Sequence, residues 1–153
     1  MYNINRVIKK LTPHRSAAEL FKYFSDEKDC VFLDSSLVNG LGRYSIIGVR
    51  PYLKLVKDDH GFFINEQKVS ELSFEEYLKK YLSEHKDQNE SGLPMLSGAI
   101  GYFSYEYGRK LMEIPSHKEN LVTIPDAVLV FYDMYIIEDC HEKKTFLVAN
   151  GIT

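Results

Sequence analysis

The sequence predicts an α+β fold: a mainly antiparallel sheet with two principal helices packed on it. Three observations lead there. Short apolar or β-branched runs, punctuated by Gly, Pro, Asn and Asp, recur along all 153 residues. Tyr (11) and Phe (9) are abundant while Trp is absent, a bias toward pleated surfaces. Helical periodicity behind a capping signal appears clearly only twice, so strands and helices do not alternate as in a parallel βαβ fold. The length suits one domain over residues 1–153.

Tyr2 to Leu11 reads as an edge strand that Thr12-Pro13 breaks. Ser16 opens a helix, with Glu19 three residues on in the capping-box arrangement. Ala17, Leu20, Phe21 and Phe24 form its apolar stripe, and it should end near Ser25-Asp26. Cys30 to Leu33 reads as a buried strand, followed by a turn at Asn39-Gly40 and Gly42. Tyr44 to Val49 is a strand expected to stop before Pro51. A further strand carries Tyr52, Leu53, Leu55 and Val56, and Asp59-His60-Gly61 turns it back into Phe62-Phe63-Ile64. Asn65-Glu66-Gln67 is the next turn.

Ser73, with Glu76, caps the clearest helix, whose stripe is Phe74, Tyr77, Leu78, Tyr81 and Leu82. Glu84 to Gly92 is polar and reads as a solvated connector. Gly98 to Phe103 is a strand in which glycine signals close backbone approach or a bulge. Tyr105 to Met112 reads as a short helix, and Ser116 to Thr123 as a loop. Asp126 to Glu138 is a long apolar strand that returns through a turn at His141-Lys144 into Thr145 to Ala149.

Charge and composition exclude several classes. The formal net charge is −3, with no basic run, which argues against a nucleic-acid binder. No apolar stretch is long enough to span a bilayer, and residues 1–11 do not form a secretory signal. Cys30 and Cys140 have no metal-ligand spacing and fit reduced thiols in a cytoplasmic setting. Phosphate-binding loops, nucleophile elbows and zinc helices are absent. The five histidines (14, 60, 85, 117, 141) fall in polar, turn-like segments and read as exposed loop residues. Asp58-Asp59, Glu75-Glu76 and Glu138-Asp139 read as a turn, a helix first turn and a strand end, not as acid–base pairs. No catalytic residue and no metal ligand is assigned.

Two segments ask for more. In the first, Phe32-Leu33-Asp34-Ser35-Ser36 ends a strand in a carboxylate and hydroxyls, and Gly42-Arg43-Tyr44-Ser45 brings back a cation. If the strands are neighbours, Arg43 faces Asp34 or Ser35. Such a cluster can hold a zwitterion, with Arg and Ser for a carboxylate and Asp for an ammonium. A plain capped turn explains the same residues, and on chemistry alone it ranks first. In the second, Gly101 to Arg109 interleaves aromatics with glycine. It could floor a pocket, and a core strand running into a helix is the simpler account.

Taken together, these segments resemble the N-terminal domain of component I of anthranilate synthase and of aminodeoxychorismate synthase, chorismate-utilising enzymes. The motifs are Leu33-Asp34-Ser35, Gly42-Arg43-Tyr44-Ser45, a Gly-x-x-Pro turn at Gly48-Val49-Arg50-Pro51, Gly98 to Phe103 with Ser104-Tyr105-Glu106-Tyr107, and Ile124-Pro125-Asp126 before the long strand. Their order and spacing hold from about residue 15 to the end.

The resemblance implies a larger C-terminal domain that binds chorismate and magnesium, and none of its motifs occurs in these residues. The expectation is therefore an N-terminal, non-catalytic piece, inactive alone, whose parent pairs with a glutamine amidotransferase subunit. The resemblance also implies a tryptophan-type pocket formed by Leu33, Asp34, Ser35, Arg43 and Tyr44. Tyr105-Glu106-Tyr107-Gly108-Arg109 and the Asp at position 34 look more like the aminodeoxychorismate (para-aminobenzoate, folate) branch. The tryptophan-regulated anthranilate branch is the alternative, and a stand-alone small-ligand binding module is an alternative of another class. The Tyr and Phe excess also fits a homodimer of the fragment through an apolar face.

Overall fold

The computed structural model describes residues 5–115 and 123–153. Eight strands and three helices follow in the order β1 (Val7–Lys10), α1 (Ala17–Phe21), β2 (Val31–Leu33), β3 (Tyr44–Asp58), β4 (Gly61–Ile64), β5 (Gln67–Val69), α2 (Phe74–Glu84), β6 (Ala99–Phe103), α3 (Tyr105–Leu111), β7 (Ala127–Asp139) and β8 (Lys144–Ala149). The strands pair in the order β1-β8-β7-β3-β4-β5, with β2 on β3 and β6 on β7. Every pairing with a defined register is antiparallel. The α+β class expected from the sequence is the class observed. No helix among the described residues is long and apolar enough to cross a membrane.

The chain forms two compact units. One comprises Met1–Tyr52, Lys86–Gly98 and Phe131–Thr153; the other comprises Leu53–His85 and Ala99–Val130. In the first, β1 pairs with β8 (Val7↔Ala149 to Lys10↔Phe146) and β8 with β7 (Met134↔Ala149 to Asp139↔Lys144). Helix α1 starts as the sequence requires. The Ser16 side chain accepts the Glu19 N–H at 3.2 Å, and the Glu19 carboxylate accepts the Ser16 N–H at 3.1 Å. Its stripe packs Ala17, Leu20, Phe21 and Phe24 against Ile47, Val49 and Ile136. The α-helix is shorter than expected. After Phe21 the bonds tighten to i→i−3, from Tyr23 to Leu20, Phe24 to Phe21 and Glu27 to Phe24.

The second unit is aromatic. Phe74, fully buried, meets the Phe62, Phe103 and Tyr107 rings edge-on at centroid distances of 5.6, 6.3 and 6.1 Å. Helix α2 carries the predicted capping box, with Ser73 and Glu76 bonding reciprocally. Of its predicted stripe, Phe74 is buried, Tyr77, Leu78 and Tyr81 are half-buried, and Leu82 is 50% exposed. The helix thus buries a narrower face than its periodicity suggested.

Three expectations are corrected. The strand expected to stop before Pro51 runs on, so Tyr44 to Asp58 is one 15-residue strand. Arg50 takes a left-handed φ of 55° there, and both Arg50 and Pro51 are exposed. A local backbone irregularity therefore absorbs the proline, whose missing N–H would otherwise interrupt the ladder. The expected buried strand at Cys30–Leu33 is an outer one. It pairs only with β3 (Val31↔Gly48, Phe32↔Ile47, Leu33↔Ile46), and Leu33 is 48% exposed. The turn placed at Asn65-Gln67 is tighter, because Gln67 already opens β5. The first three residues of the expected N-terminal strand, and most of the Ser116–Thr123 loop with His117, lie outside the described residues.

Glycine 101 behaves as its place in a strand implied. A Cβ there would sit 1.9 Å from the Val128 carbonyl oxygen, so only glycine lets β6 come this close to β7.

Candidate functional site

The residues singled out from the sequence come together at the end of β2 and the start of β3. Register places Leu33 opposite Ile46, so the loop after Leu33 returns beside Tyr44 and Ser45. The Ser35 N–H donates to the Ser45 hydroxyl at 2.9 Å, and the Ser35 hydroxyl donates to the Tyr44 carbonyl at 2.7 Å. The Ser45 hydroxyl in turn donates to the Asp34 carboxylate at 3.2 Å. It also lies 3.5 Å from the Cys140 sulfur. Ser45 is buried, so its hydroxyl needs these partners. Neither cysteine forms a disulfide.

Arg43 does not turn toward Asp34 or Ser35. Its Nε and Nη2 donate to Asp139 Oδ2, at 3.0 and 2.6 Å, and its guanidinium carbon lies 4.9 Å from the Tyr44 ring centroid. The Asp139 side chain is 8% exposed, and its other oxygen accepts the His141 and Glu142 N–H groups at 3.1 and 3.0 Å. Arg43 and the two amides hold the Asp139 carboxyl below the usual carboxylate range, and Asp139 raises the Arg43 pKa. A backbone bond from the Cys140 N–H to the Arg43 carbonyl, at 2.8 Å, closes the same corner. The loop between the strands is ordered by Asn39, whose side chain accepts the Leu41 and Gly42 N–H groups. His141 Nε2 meets the Asn39 carbonyl at 3.0 Å.

The acidic pairs weighed in the sequence, and two of the described histidines, find structural partners. Asp58 accepts the His60 and Gly61 N–H groups, as a turn residue should. Asp59 and Asp126 hold Lys110: its Nζ is 2.6 Å from Asp59 and 2.8 and 2.9 Å from the two Asp126 oxygens. Tyr107 donates to Glu75 at 2.8 Å, and burial first, then Glu75, push its pKa up to about 12. His14 is exposed as its polar context implied, while His85 is half-buried. His14 bonds Glu138 at 3.0 Å, and Glu138 also accepts the Ala17 N–H at 2.6 Å. His85 stacks on Tyr81 at 4.0 Å. Among the described residues no group of three or more His, Cys, Asp or Glu side chains is placed to hold a metal ion.

No protein-family model matches the chain. Anthranilate synthase component 1 of Acetivibrio thermocellus is 31% identical over 138 residues, 86% of this chain and 28% of that protein. Aminodeoxychorismate synthase component 1 of Klebsiella aerogenes is 35% identical over 57 residues, 37% of this chain and 13% of that protein. Anthranilate synthase component I from Streptococcus pneumoniae TIGR4 shares the fold. Its crystal structure matches 98% of this chain and 32% of its own length, with a TM-score of 0.60 at 24% identity. The chain belongs to the chorismate-utilising component I family, with the fold of its N-terminal domain. It spans under a third of the length of these component I relatives.

Within this component I domain, Asp34, Ser35 and Tyr44 share one hydrogen-bonded corner while Arg43 turns to Asp139. The two groups that organise this corner, Ser45 and Asp139, are absent from the residues expected to form the pocket. Ser45 carried a signal. It occupies a core-facing position in the alternation Ser45, Ile47, Val49, where a hydroxyl must have a partner. Asp139 carried none, because its partner lies 96 residues away in sequence.

Proposed function

We propose that this chain is the non-catalytic N-terminal domain of an aminodeoxychorismate synthase component I, an enzyme that aminates chorismate on the route to para-aminobenzoate and folate. Chorismate, magnesium and the bond-making residues belong, in this reading, to a further domain, and a glutamine amidotransferase subunit supplies ammonia. The observation that carries the choice of branch is the state of the strand-end cluster. Asp34 accepts from Ser45, and Arg43 is neutralised by a nearly buried Asp139. A feedback site for tryptophan needs a carboxylate and a cation open to the amino-acid headgroup. Here Asp34 and Arg43 both reach solvent, but each already has a partner within the fold. The sequence of the Tyr105–Arg109 motif, in which Glu106 pairs with Arg109, resembles the same branch.

In this reading Leu33, Asp34, Ser35, Arg43 and Tyr44 form a half-site of the tryptophan type. Leu33 and Tyr44 offer apolar walls, and Ser35 and the outer edge of Arg43 offer polar contacts. A half-site leaves most of an indole in water, so the chain alone binds tryptophan weakly or not at all. Calorimetry with a component I polypeptide carrying this domain tests the assignment. Any tryptophan binding should fall on Ser35→Ala or Arg43→Ala, and binding unchanged by both contradicts it.

The anthranilate branch is the second reading, favoured by the long match to an anthranilate synthase component 1 over 86% of this chain. Product analysis separates the two. The component I polypeptide, given chorismate, magnesium and ammonia, should yield a product that a lyase converts to para-aminobenzoate. Fluorescent anthranilate as the product overturns the first reading in favour of the second.

A further inference from the structure

Residues 86–98 belong to the first unit and carry neither helix nor strand. They are knitted to themselves. The Asn89 side chain donates to the Leu93 carbonyl at 2.7 Å and accepts the Ser91 N–H at 3.1 Å. The Leu93 N–H donates to the Ser91 hydroxyl at 3.1 Å. The Ser97 hydroxyl donates to Asp87 at 2.9 Å, which joins one end of the segment to the other. A segment tied internally and lacking a ladder to its neighbours is a candidate unit of local opening.

Among the described residues, three hydrogen bonds hold this segment to the rest of its unit. The Asp87 carboxylate pairs with Arg6, the Leu96 carbonyl accepts from the Asn150 amide at 3.1 Å, and the Gly98 carbonyl accepts from the Tyr135 hydroxyl at 2.6 Å. Two of the three converge on one side chain. Arg6 Nη2 takes Asp87, while Arg6 Nε donates to Asn150 Oδ1 at 2.7 Å. Asn150 is fully buried, and its amide donates to the Asp133 carbonyl at 3.2 Å as well as to Leu96. A guanidinium only donates, so it must meet the amide oxygen, and the amide hydrogens then face Leu96 and Asp133. Loss of Arg6 therefore removes the outer hold and leaves a buried oxygen without its donor. A lysine does not replace it, since one ammonium lacks the fork that spans both partners.

We infer that residues 86–98 form a strap that opens as one piece while the sheet stays folded, and that Arg6 is the latch that keeps it shut. Opening uncovers Leu96, which is 5% exposed in the closed strap. Arg6 acts from just before β1 and Asn150 from just after β8, so the latch ties the strap to the paired ends of those two strands.

Native-state digestion of the 153-residue chain with thermolysin, which cuts before large apolar residues, tests this when the cut sites are read by mass spectrometry. The Met95–Leu96 bond reports on the strap. The bonds before Leu37 and Leu41, 73% and 98% exposed in the loop ahead of β3, are the reference. Wild type should be cut more slowly at Met95–Leu96 than in the reference loop. Arg6→Met keeps the apolar stem and should raise cutting at Met95–Leu96 about tenfold or more, with the reference rate unchanged. Asp87→Asn loosens the outer hold alone and should raise it about two- to fivefold. It touches no sheet residue, so it carries the test even where Arg6→Met fails to fold. A rate at Met95–Leu96 that neither variant changes overturns the inference. So does a rise matched in the reference loop, which marks loosening of the whole chain, or a wild type cut equally fast at both places. Equal effects of Arg6→Met and Asp87→Asn would overturn the double hold assigned to Arg6.

Discussion

The two compact units close the same kind of gap by different means, and two glycines show it. In the first, Gly48 lies against the Tyr132 ring, where a Cβ would come within 2.7 Å of a ring carbon. In the second, Gly101 lies against the Val128 backbone, where a Cβ would come within 1.9 Å of the carbonyl oxygen. The first unit packs aliphatic side chains (Ala17, Ile47, Val49, Ile136) and ties its loops to β7 through Glu138, Asp139 and Asp133. The second packs edge-on rings around Phe74 and has one lysine shared by two aspartates. Polar side chains that hold loops in place have part of their bonding capacity already taken, even where, like Arg43, they stay exposed. This is why the expected pocket residues are found in one place yet already bonded.

The largest effect that sharpens this contrast is Gly101→Ala. Backbone cannot move aside without losing the β6–β7 pairing, so the cost should exceed about 4 kcal/mol and unfold the second unit. Gly48→Ala should cost less, because a ring can tilt where a carbonyl cannot. Circular-dichroism melts compare them, and a Gly48→Ala cost equal to that of Gly101→Ala breaks the contrast.

Next comes the buried ring. Phe74→Ala removes a fully buried aromatic at about 3–5 kcal/mol. Phe21→Ala, at a half-buried position in the first unit, should cost about 2 kcal/mol. Urea titrations order the pair, and a silent Phe74→Ala would show the aromatic cluster misassigned.

A smaller, pH-dependent effect belongs to Asp139. Its folded pKa lies below the unfolded value of about 3.9 because Arg43 pairs with it. Its contribution is therefore fully present above about pH 4 and is lost as pH falls through the lowered folded value. Asp139→Asn should lower stability at pH 7 and flatten the acid limb of the stability curve. An acid limb as steep as wild type's would show that the pair contributes nothing. The smallest signal is optical. Tyr107 ionises near pH 12 in the fold, with burial the main cause, against about 10 when unfolded. Its contribution is present below about pH 10 and is lost as pH rises toward 12. The ultraviolet difference between wild type and Tyr107→Phe should titrate near 12, and a midpoint near 10 would show that neither burial nor the Glu75 bond perturbs this hydroxyl.

Local rules carried much of the fold. Both capping boxes, the hairpin from Asp58 to Gly61 and the long strand before His141 were legible because each depends on residues a few positions apart. What failed depended on distant partners. Pro51 looks like a stop until β4 is seen paired with Leu55 to Asp58. Cys30 to Leu33 looks buried until β2 is found with a single neighbouring strand. At the site, Arg43 and Ser35 were visible as chemistry, while the carboxylate that claims Arg43 sits at the far end of β7. An ion pair across 96 residues leaves no trace in one sequence.

The central claim is that this domain does no chemistry of its own, and turnover tests it most directly. The purified chain is incubated with chorismate, magnesium and ammonium, with and without an amidotransferase subunit, and chorismate loss is followed by chromatography. The account predicts chorismate consumption no faster than in the protein-free control. Consumption above that control by this chain alone, abolished by unfolding it, would contradict the account.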